Sequence, residues 1–228
     1  MRNERLGANV LSVKMIPNVD QALAKKLNLN DNQKSLGIIT SDSDDVTYVA
    51  LDEATKKAAV DVVYGKSLYA GADNANTKLA GEVIGILAGP SPAEVRSGLD
   101  AARQVIESEA SFYSANEDNS IIYFAHNVSR CGTYLSEVAG VKEGEAIAYL
   151  IAPPLEAMYA LDAALKAADV ELAVLYEPPT ETNFGGALLT GTQSACTAAC
   201  EAFAQAVISV ADNPLSYKGG VTRCHQKH

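Results

Sequence analysis

Tryptophan is absent from the 228-residue sequence, which also has only four Phe, three Met and three His. A core must therefore be built mainly from Ala, Val, Leu and Ile, which suits closely packed layers of helices on sheets. Neither a G-x-S-x-G motif nor an H-E-x-x-H motif occurs, and a hydrolase triad would have to use His126, because His225 and His228 lie in the last four residues. We therefore predict that the protein is not an enzyme.

Positive charge is scarce as well. The sequence has 18 Lys and Arg against 28 Asp and Glu, and its net charge is -10. The basic residues are scattered, which excludes nucleic acid and anionic membrane surfaces as favoured partners. No run of about 18 apolar residues occurs, and the opening MRNERLGANVLSVK lacks the apolar stretch of a signal peptide. We expect a globular protein that stays in the cytoplasm.

The four cysteines include no C-x-x-C pair and give no evidence for disulfides. Cys196 and Cys200 stand four residues apart on one predicted helical face, with no other Cys or His nearby in sequence. Packing of two free thiols in the core is therefore favoured over a metal site. Residues 224–228 (CHQKH) leave two interpretations open: an adventitious zinc or copper site, and a frayed, solvated chain end.

Internal repetition is the most informative feature of the sequence. The tripeptide Ala-Leu-Asp that ends at Asp52 aligns with the one that ends at Asp162, and Gly89 aligns with Gly191 further along. In each copy short strand-like runs alternate with longer helical stretches. We therefore predict an α+β fold made of two tandem copies of one domain, residues 1–115 and 116–228, each a mixed or antiparallel sheet flanked by helices.

Hydrophobic periodicity gives each copy four strands and three helices. The predicted strands are residues 10–15, 35–40, 60–64 and 83–88 in the first copy, and 121–125, 146–152, 170–176 and 187–190 in the second. The predicted helices are residues 19–27, 46–59 and one that starts at Pro92 in the first copy, and 133–139, 155–168 and 195–210 in the second.

Two long irregular loops occupy equivalent places in the two copies. Residues 65–81 (GKSLYAGADNANTKLAG) are rich in Gly, Asn and Ala, and residues 177–186 (EPPTETNFGG) combine two prolines with two glycines. Long loops inserted at matching points of a compact repeat are usually functional or mobile. Two tolerated surface insertions remain the alternative.

An acidic run, residues 41–45 (SDSDD), stands where the first core strand ends and a helix begins. Asp or Ser at this place caps a helix and complements its dipole. A calcium loop would need a central Gly that this part of the sequence lacks. Because one cap is enough for a helix, both a solvated cap and a site for a small cation or amine remain open.

Three long strings carry a resemblance to a known family. They are SLGIITSDSDDVTYVALDEATKKAAVDVVYGKSLYAGAD, AYLIAPPLEAMYALDAALKAADVELAVLYEPPTETNF and LTGTQSACTAAC, within a match over residues 9–214. They resemble the tandem-domain shell proteins of the ethanolamine-utilisation bacterial microcompartment. The resemblance implies two circularly permuted bacterial-microcompartment (BMC) domains and a homotrimer that mimics a hexamer. It also implies tiling with other shell proteins into a shell in the bacterial cytoplasm, with no required cofactor.

In that family the two long loops meet at the three-fold axis and gate a central pore. The resemblance therefore implies passage of a metabolite or cofactor, with cobalamin as a possible bound or transported ligand. The matching pore-loop positions are Lys66, Ser67, Leu68, Tyr69, Ala70, Gly71, Asp73, Asn74, Pro178, Pro179, Thr180, Glu181, Asn183 and Phe184.

The family also binds ethanolamine in pockets between its domains. The matching positions are Asp44, Asp45, Glu82, Phe112 and Thr182. Carboxylates supply charge-assisted acceptors for an ammonium group, and an aromatic face adds a cation-π contact. The plainer alternatives are a solvent-facing strand-edge charge for Glu82 and ordinary packing at a helix end for Phe112. A free tandem-domain protein that senses small amines remains the alternative function.

Overall fold

A computed structural model describes residues 2–68 and 77–217 of the chain. Its strands are β1 (Arg5–Leu6), β2 (Val10–Ile16), β3 (Ser35–Ser41), β4 (Asp61–Ser67), β5 (Val83–Gly89), β6 (Phe112–Ser114), β7 (Ile122–Val128), β8 (Ala146–Ala152), β9 (Val170–Tyr176) and β10 (Gly185–Gly191). Its α-helices are α1 (Gln21–Lys26), α2 (Asp44–Lys57), α3 (Pro92–Gln104), α4 (Thr133–Ala139), α5 (Pro154–Ala167) and α6 (Gln193–Asp212), and a π-helical turn follows α3 at Val105–Glu109.

The predicted repeat is confirmed by the order of these elements. Each half runs strand, helix, strand, helix, strand, strand, helix, from β2 to α3 and again from β7 to α6. The bounds differ from the prediction at strand ends, where β4 and β7 end three residues later than predicted, and at helix ends. Helix α2 begins at Asp44 instead of residue 46, and α6 covers Gln193–Asp212 instead of 195–210. Helix α3 begins at Pro92 as predicted, behind the N-cap Ser91.

The first sheet has four antiparallel strands in the order β2-β3-β5-β4. The central strands β3 and β5 are mostly buried because helices α2 and α3 pack against the sheet. Close packing depends on small residues here. A Cβ atom added at Gly37 would lie within 3.0 Å of the side chains of Val95 and Leu99 on α3.

The second sheet has six antiparallel strands in the order β1-β6-β7-β8-β10-β9. Its central strand β8 (AIAYLIA) is buried at every residue, as expected for a strand covered on both faces. The edge strand β1 pairs with its neighbour β6 through Arg5 with Tyr113 and through Leu6 with Phe112. Residues from the first half of the chain therefore extend the sheet of the second half.

A shared core and a buried carboxylate join the two halves. One hydrophobic cluster contains Leu51 of α2 together with Phe124 of β7 and Leu135 of α4. Asp52 of α2 is fully buried and accepts hydrogen bonds from the backbone N–H groups of Gly132 at 2.7 Å and Leu135 at 2.8 Å. A side chain of the first half thus caps a helix of the second half.

Helix α6 is, among the described helices, the one long and apolar enough to cross a membrane by length and composition. That is weak evidence, since core helices of soluble proteins pass the same test. Its residues Cys196, Ala199, Cys200 and Phe203 are buried in the second hydrophobic cluster. The prediction that Cys196 and Cys200 pack as free thiols is therefore confirmed. Residues 224–228 lie outside the described part of the chain.

Candidate functional site

A pocket of about 250 Å³ lies where the two halves of the chain meet. This volume is below the roughly 300 Å³ at which pockets for drug-sized ligands begin, so it suits a small molecule. The five residues that the resemblance assigned to ethanolamine all line it. The complete set of lining residues is Leu6, Gly7, Ala8, Asp42, Ser43, Asp44, Asp45, Glu82, Phe112, Ile122, Thr182 and Phe184.

Asp44 and Asp45 are the first two residues of α2, and the end of β3 holds them in place. Ser41 Oγ donates to the Ser43 carbonyl oxygen at 2.9 Å and lies 2.6 Å from Thr47 Oγ1, which ties the strand end to the first helical turn. The partial positive charge at the start of a helix favours carboxylates there. Because Asp44 and Asp45 are only 7% and 6% exposed, the interpretation of this run as a solvated cap is wrong for both of them.

The Asp44 carboxylate is held by two donors. Ser67 Oγ donates to Oδ2 at 2.8 Å, and the backbone N–H of Asp45 donates to Oδ1 at 2.9 Å. Burial raises the pKa of Asp44, and these hydrogen bonds, which favour the charged form, oppose the shift. Ser67 is the last residue of β4, so it connects this carboxylate to the start of the first long loop.

Asp45 is held from the second half of the chain. Tyr149 Oη, on β8, donates to Asp45 Oδ1 at 2.8 Å. Burial raises the pKa of Asp45 well above its ordinary value, and the neighbouring charge of Asp44 raises it further, while the Tyr149 hydrogen bond opposes both. The pocket therefore contains two carboxyl groups that lack the solvation they would have at a surface.

Glu82 supplies the third carboxyl group. The preceding residue, Gly81, has φ +63, a conformation that favours glycine. A Cβ atom added at Gly81 would lie only 2.0 Å from the Ser41 carbonyl oxygen. Burial raises the pKa of Glu82 to about 7, and the charges of Asp44 and Asp42 add to the rise. Glu82 is thus half-buried and lines the pocket, so its side chain is not fully exposed to solvent.

Phe112 and Thr182 also line the pocket. The Phe112 ring lies 5.3 Å from the Phe124 ring and 6.0 Å from the Phe184 ring, between centroids. Phe112 therefore packs in the core and lines the pocket at once, from strand β6 instead of a helix end. Thr182 Oγ1 lies 3.4 Å from Thr180 Oγ1 within the second loop.

A second cavity of about 150 Å³ adjoins the same pair of aspartates. Tyr48, Tyr149 and Tyr176 contribute to its walls, and Thr180 and Glu181 of the second loop also line it. Tyr48 Oη lies 2.7 Å from Ser67 Oγ, so a hydrogen-bonded chain runs from Tyr48 through Ser67 to Asp44. Residues of both long loops thus line the same cavity as the two buried carboxyl groups.

The predicted pore-loop residues divide into four groups. Lys66 and Ser67 belong to β4 and Leu68 follows it, where its backbone N–H donates to the Glu82 carbonyl oxygen at 2.7 Å. Phe184 is packed against the core and is thus part of the pocket wall. Pro178, Pro179, Thr180, Glu181 and Asn183 form the second loop, with a cis bond between the prolines. Tyr69, Ala70, Gly71, Asp73 and Asn74 lie outside the described residues.

Besides the five assigned residues, Asp42 and Ser43 of the acidic run also line the pocket. Ser67 was assigned only to the pore, and Tyr149 holds Asp45 from 104 residues away. Ser43 could have been included, because it stands inside the acidic run. Tyr149 gave no signal, since nothing in its strand distinguishes it from a core aromatic residue.

The chemistry of the pocket suits an organic cation. Three carboxyl groups with raised pKa values face a small space beside an aromatic wall. Within residues 2–68 and 77–217, no group of three His, Cys, Asp or Glu is placed to hold a metal ion. His126 is half-buried beside Phe124, with ring centroids 5.5 Å apart, and burial lowers its pKa to about 4. It packs on an aromatic ring and lies outside the pocket lining.

Comparison with known proteins agrees with this arrangement of two similar halves. The BMC domain family matches residues 35–117 and 151–217. The bacterial microcompartment shell protein EutL of Clostridium perfringens is 70% identical over 217 residues, which is 95% of this chain and 100% of that protein. The crystal structure of the ethanolamine utilization protein EutL from Leptotrichia buccalis has a TM-score of 0.93 and 70% identity, and the match covers 95% of this chain and 100% of that one.

A more distant match shows the fold alone. The crystal structure of PduB, a trimeric bacterial microcompartment shell protein, has a TM-score of 0.71 at 21% identity, and the match covers 90% of this chain and 89% of that one. The family match in both halves and the 70% identity over nearly the whole chain together establish the relationship. The chain belongs to the BMC domain family, among the EutL shell proteins of bacterial microcompartments.

Proposed function

We propose that this shell protein binds ethanolamine in the pocket between its halves and forms a trimer with a gated central pore. The membership in the family makes it a non-enzymatic structural protein of the microcompartment shell. The observation that carries the ligand proposal is the convergence of Asp44, Asp45 and Glu82 on one small pocket.

Charge and size both favour a small protonated amine as the occupant. Burial of several carboxyl groups is costly unless a cation or hydrogen-bond donors compensate them. An ammonium group offers three N–H donors and a positive charge, and the Phe112 ring adds an apolar wall. Ethanolamine combines that ammonium group with one hydroxyl group in a molecule small enough for about 250 Å³.

Calorimetry with ethanolamine tests the pocket. We expect saturable binding by the wild-type protein at pH 8 and weaker binding by Asp44→Asn, which keeps the shape of the side chain and removes its charge. Asp100→Asn on the exposed face of α3 is the matched control and should bind as the wild type does. Equal affinity in all three proteins would contradict the assignment of ethanolamine to this pocket.

Assembly is supported by the surface of the second half. Helix α5 exposes four large apolar side chains, Leu155 at 63%, Met158 at 48%, Tyr159 at 42% and Leu165 at 37%. The equivalent part of α2, from Asp44 to Leu51, is buried against the other half of the same chain. A second copy docked head to tail would cover α5 in the same way, and repetition of such contacts closes a ring.

Light scattering tests the oligomeric state. We expect a mass near three subunits, that is, about three times 23.9 kDa. Leu155→Asp should lower that mass, since it places a charge in the proposed contact. A wild-type monomer at micromolar concentration would contradict the trimer. Electron microscopy at high concentration distinguishes a shell protein, which forms two-dimensional sheets, from a free amine sensor, which stays as discrete particles.

The pore proposal rests on the two long loops. Both loops lie beside the smaller cavity of about 150 Å³. Ser67, which ends β4 at the start of the first loop, and Thr182 of the second loop both line this cavity. A pore lined by both loops in a trimer would admit a molecule of cofactor size, and cobalamin is the candidate. Equilibrium dialysis of the trimer against cobalamin tests this step, and absence of binding at any concentration would remove cobalamin as a docked ligand.

A further inference from the structure

Ser43 carries a buried hydroxyl group that the fold does not use. It occupies the N-cap position of α2, where a serine normally accepts a hydrogen bond from an N–H of the first turn. In the described chain its side chain makes no such bond. The N–H of Asp45, one of the groups that a cap could serve, donates instead to Asp44 Oδ1 at 2.9 Å.

The residue is only 8% exposed, and its Oγ has no hydrogen-bond partner among the described residues. Buried hydroxyl groups are nearly always paired, so an unpaired one indicates a partner that binds from outside the fold. Ser43 lines the pocket that contains Asp44, Asp45 and Glu82. The free hydroxyl group and the three carboxyl groups therefore belong to one site.

The polar side chains of this pocket differ in what they can offer. Ionised carboxylates only accept hydrogen bonds, so they suit an ammonium group. Thr182 already has Thr180 as a neighbour at 3.4 Å. Ser43 is then the hydroxyl group left free within the described lining, and it can donate to the oxygen of a ligand alcohol as no carboxylate can.

We propose that Ser43 recognises the hydroxyl group of an amino alcohol and so selects it over a plain alkylamine of the same length. The inference rests on the proposed function of the pocket as a site for an organic cation. It assigns the two ends of the ligand: the ammonium group to the carboxylates, and the hydroxyl group to Ser43.

Calorimetry with ethanolamine and propylamine tests the assignment, because propylamine replaces the hydroxyl group by a methyl group of similar size. The wild-type protein should bind ethanolamine more tightly. Ser43→Ala should weaken ethanolamine binding by about three- to tenfold, the range for one neutral hydrogen bond, and leave propylamine binding unchanged. Ser136→Ala is the matched control, because Ser136 is also 8% exposed but lies on α4, outside the pocket lining.

Because the Ser43 side chain makes no cap bond in the described chain, Ser43→Ala should also keep the wild-type melting temperature. Ser43→Gly repeats the deletion with a residue that helix caps accept, in case Ala lowers stability. The role of Ser43 is overturned, while the cation pocket stands, if both amines bind the wild-type protein and Ser43→Ala and Ser43→Gly either weaken the binding of the two amines equally or leave it unchanged. If neither amine binds the wild-type protein, the pocket proposal itself fails.

Discussion

Replacement of Glu82 by Gln removes one of the four carboxyl groups that line the pocket and keeps the size of the side chain. A hydrogen bond between an ammonium group and a carboxylate is worth about 1.5 to 3 kcal/mol, so we expect ethanolamine affinity at pH 8 to fall by roughly 10- to 150-fold. Glu137→Gln, on the exposed side of α4, is the control and should have no effect.

The pKa of Glu82 makes this prediction specific to pH. With a pKa of about 7, Glu82 is about nine-tenths ionised at pH 8 and about one-tenth ionised at pH 6. Its contribution to the binding of a cation should therefore fall by about tenfold between these values, while the amine stays protonated. The wild-type protein and Glu82→Gln should differ most at pH 8 and differ about ten times less at pH 6.

The ionisation of Glu82 should also change protein stability, but in the opposite direction to ligand affinity: stability should fall as pH rises. Because the pKa of Glu82 is raised from 4.5 to about 7 on folding, the folded protein binds a proton more tightly than the unfolded chain within that window. The contribution of Glu82 to the free energy of unfolding is therefore present at low pH and lost as pH rises through 7. Ethanolamine should then raise the melting temperature more at pH 8 than at pH 6.

Isothermal titration calorimetry at pH 6, 7 and 8 measures the affinities, and thermal denaturation at the same pH values measures stability. The reasoning is refuted if folded Glu82→Gln binds ethanolamine as tightly as the wild type at pH 8. It is equally refuted if the variant keeps the full pH dependence of the wild type, because the titrating group would then be a different one.

Two further predictions concern the fold around the pocket. Asp52→Ala leaves the backbone N–H groups of Gly132 and Leu135 without their acceptor. The free energy of unfolding, measured by urea denaturation, should therefore fall by about 2 kcal/mol or more. A change below about 0.5 kcal/mol would contradict the capping role. In Gly81→Ala the backbone angle φ +63 and the nearby Ser41 carbonyl oxygen both disfavour the added Cβ atom. This variant should therefore lose more than about 1 kcal/mol of stability and bind ethanolamine more weakly. Wild-type values in both assays would contradict this prediction.

The elements of the fold could be predicted because their signals are local. Strands such as β8 and β9 were predicted at their observed bounds, since a short apolar run between breaks in the pattern marks a buried strand. Pro92 predicted the start of α3 for the same local reason. The internal repeat strengthened each predicted helix or strand, because an equivalent element was predicted in the other half of the chain.

The start of α2 was predicted two residues too late, and the reason bears on function. Hydrophobic periodicity begins at Val46, so the polar residues before it were assigned to the connection. In the structure Asp44 and Asp45 are helical and buried. A pattern that equates buried with apolar cannot find carboxyl groups that are buried as part of a candidate binding site.

The contacts that complete the site could not be predicted, because they are distant in sequence. Tyr149 reaches Asp45 across the two halves, and Leu6 pairs with Phe112 to bring β1 onto the second sheet. Neither contact follows from periodicity, which describes one element at a time. The residues of the pocket were assembled only through resemblance to a family, and their arrangement came from the structure.

The pocket and the junction between the halves depend on one face of α2. Asp45 and Asp52 are seven residues apart, nearly two helical turns, so they project from the same side of the helix. Asp45 accepts a hydrogen bond from Tyr149, and Asp52 caps α4, so both bind the second half. Because the helix that anchors the halves also carries two carboxyl groups of the pocket, those of Asp44 and Asp45, a cation bound there would act directly on the contact between the halves.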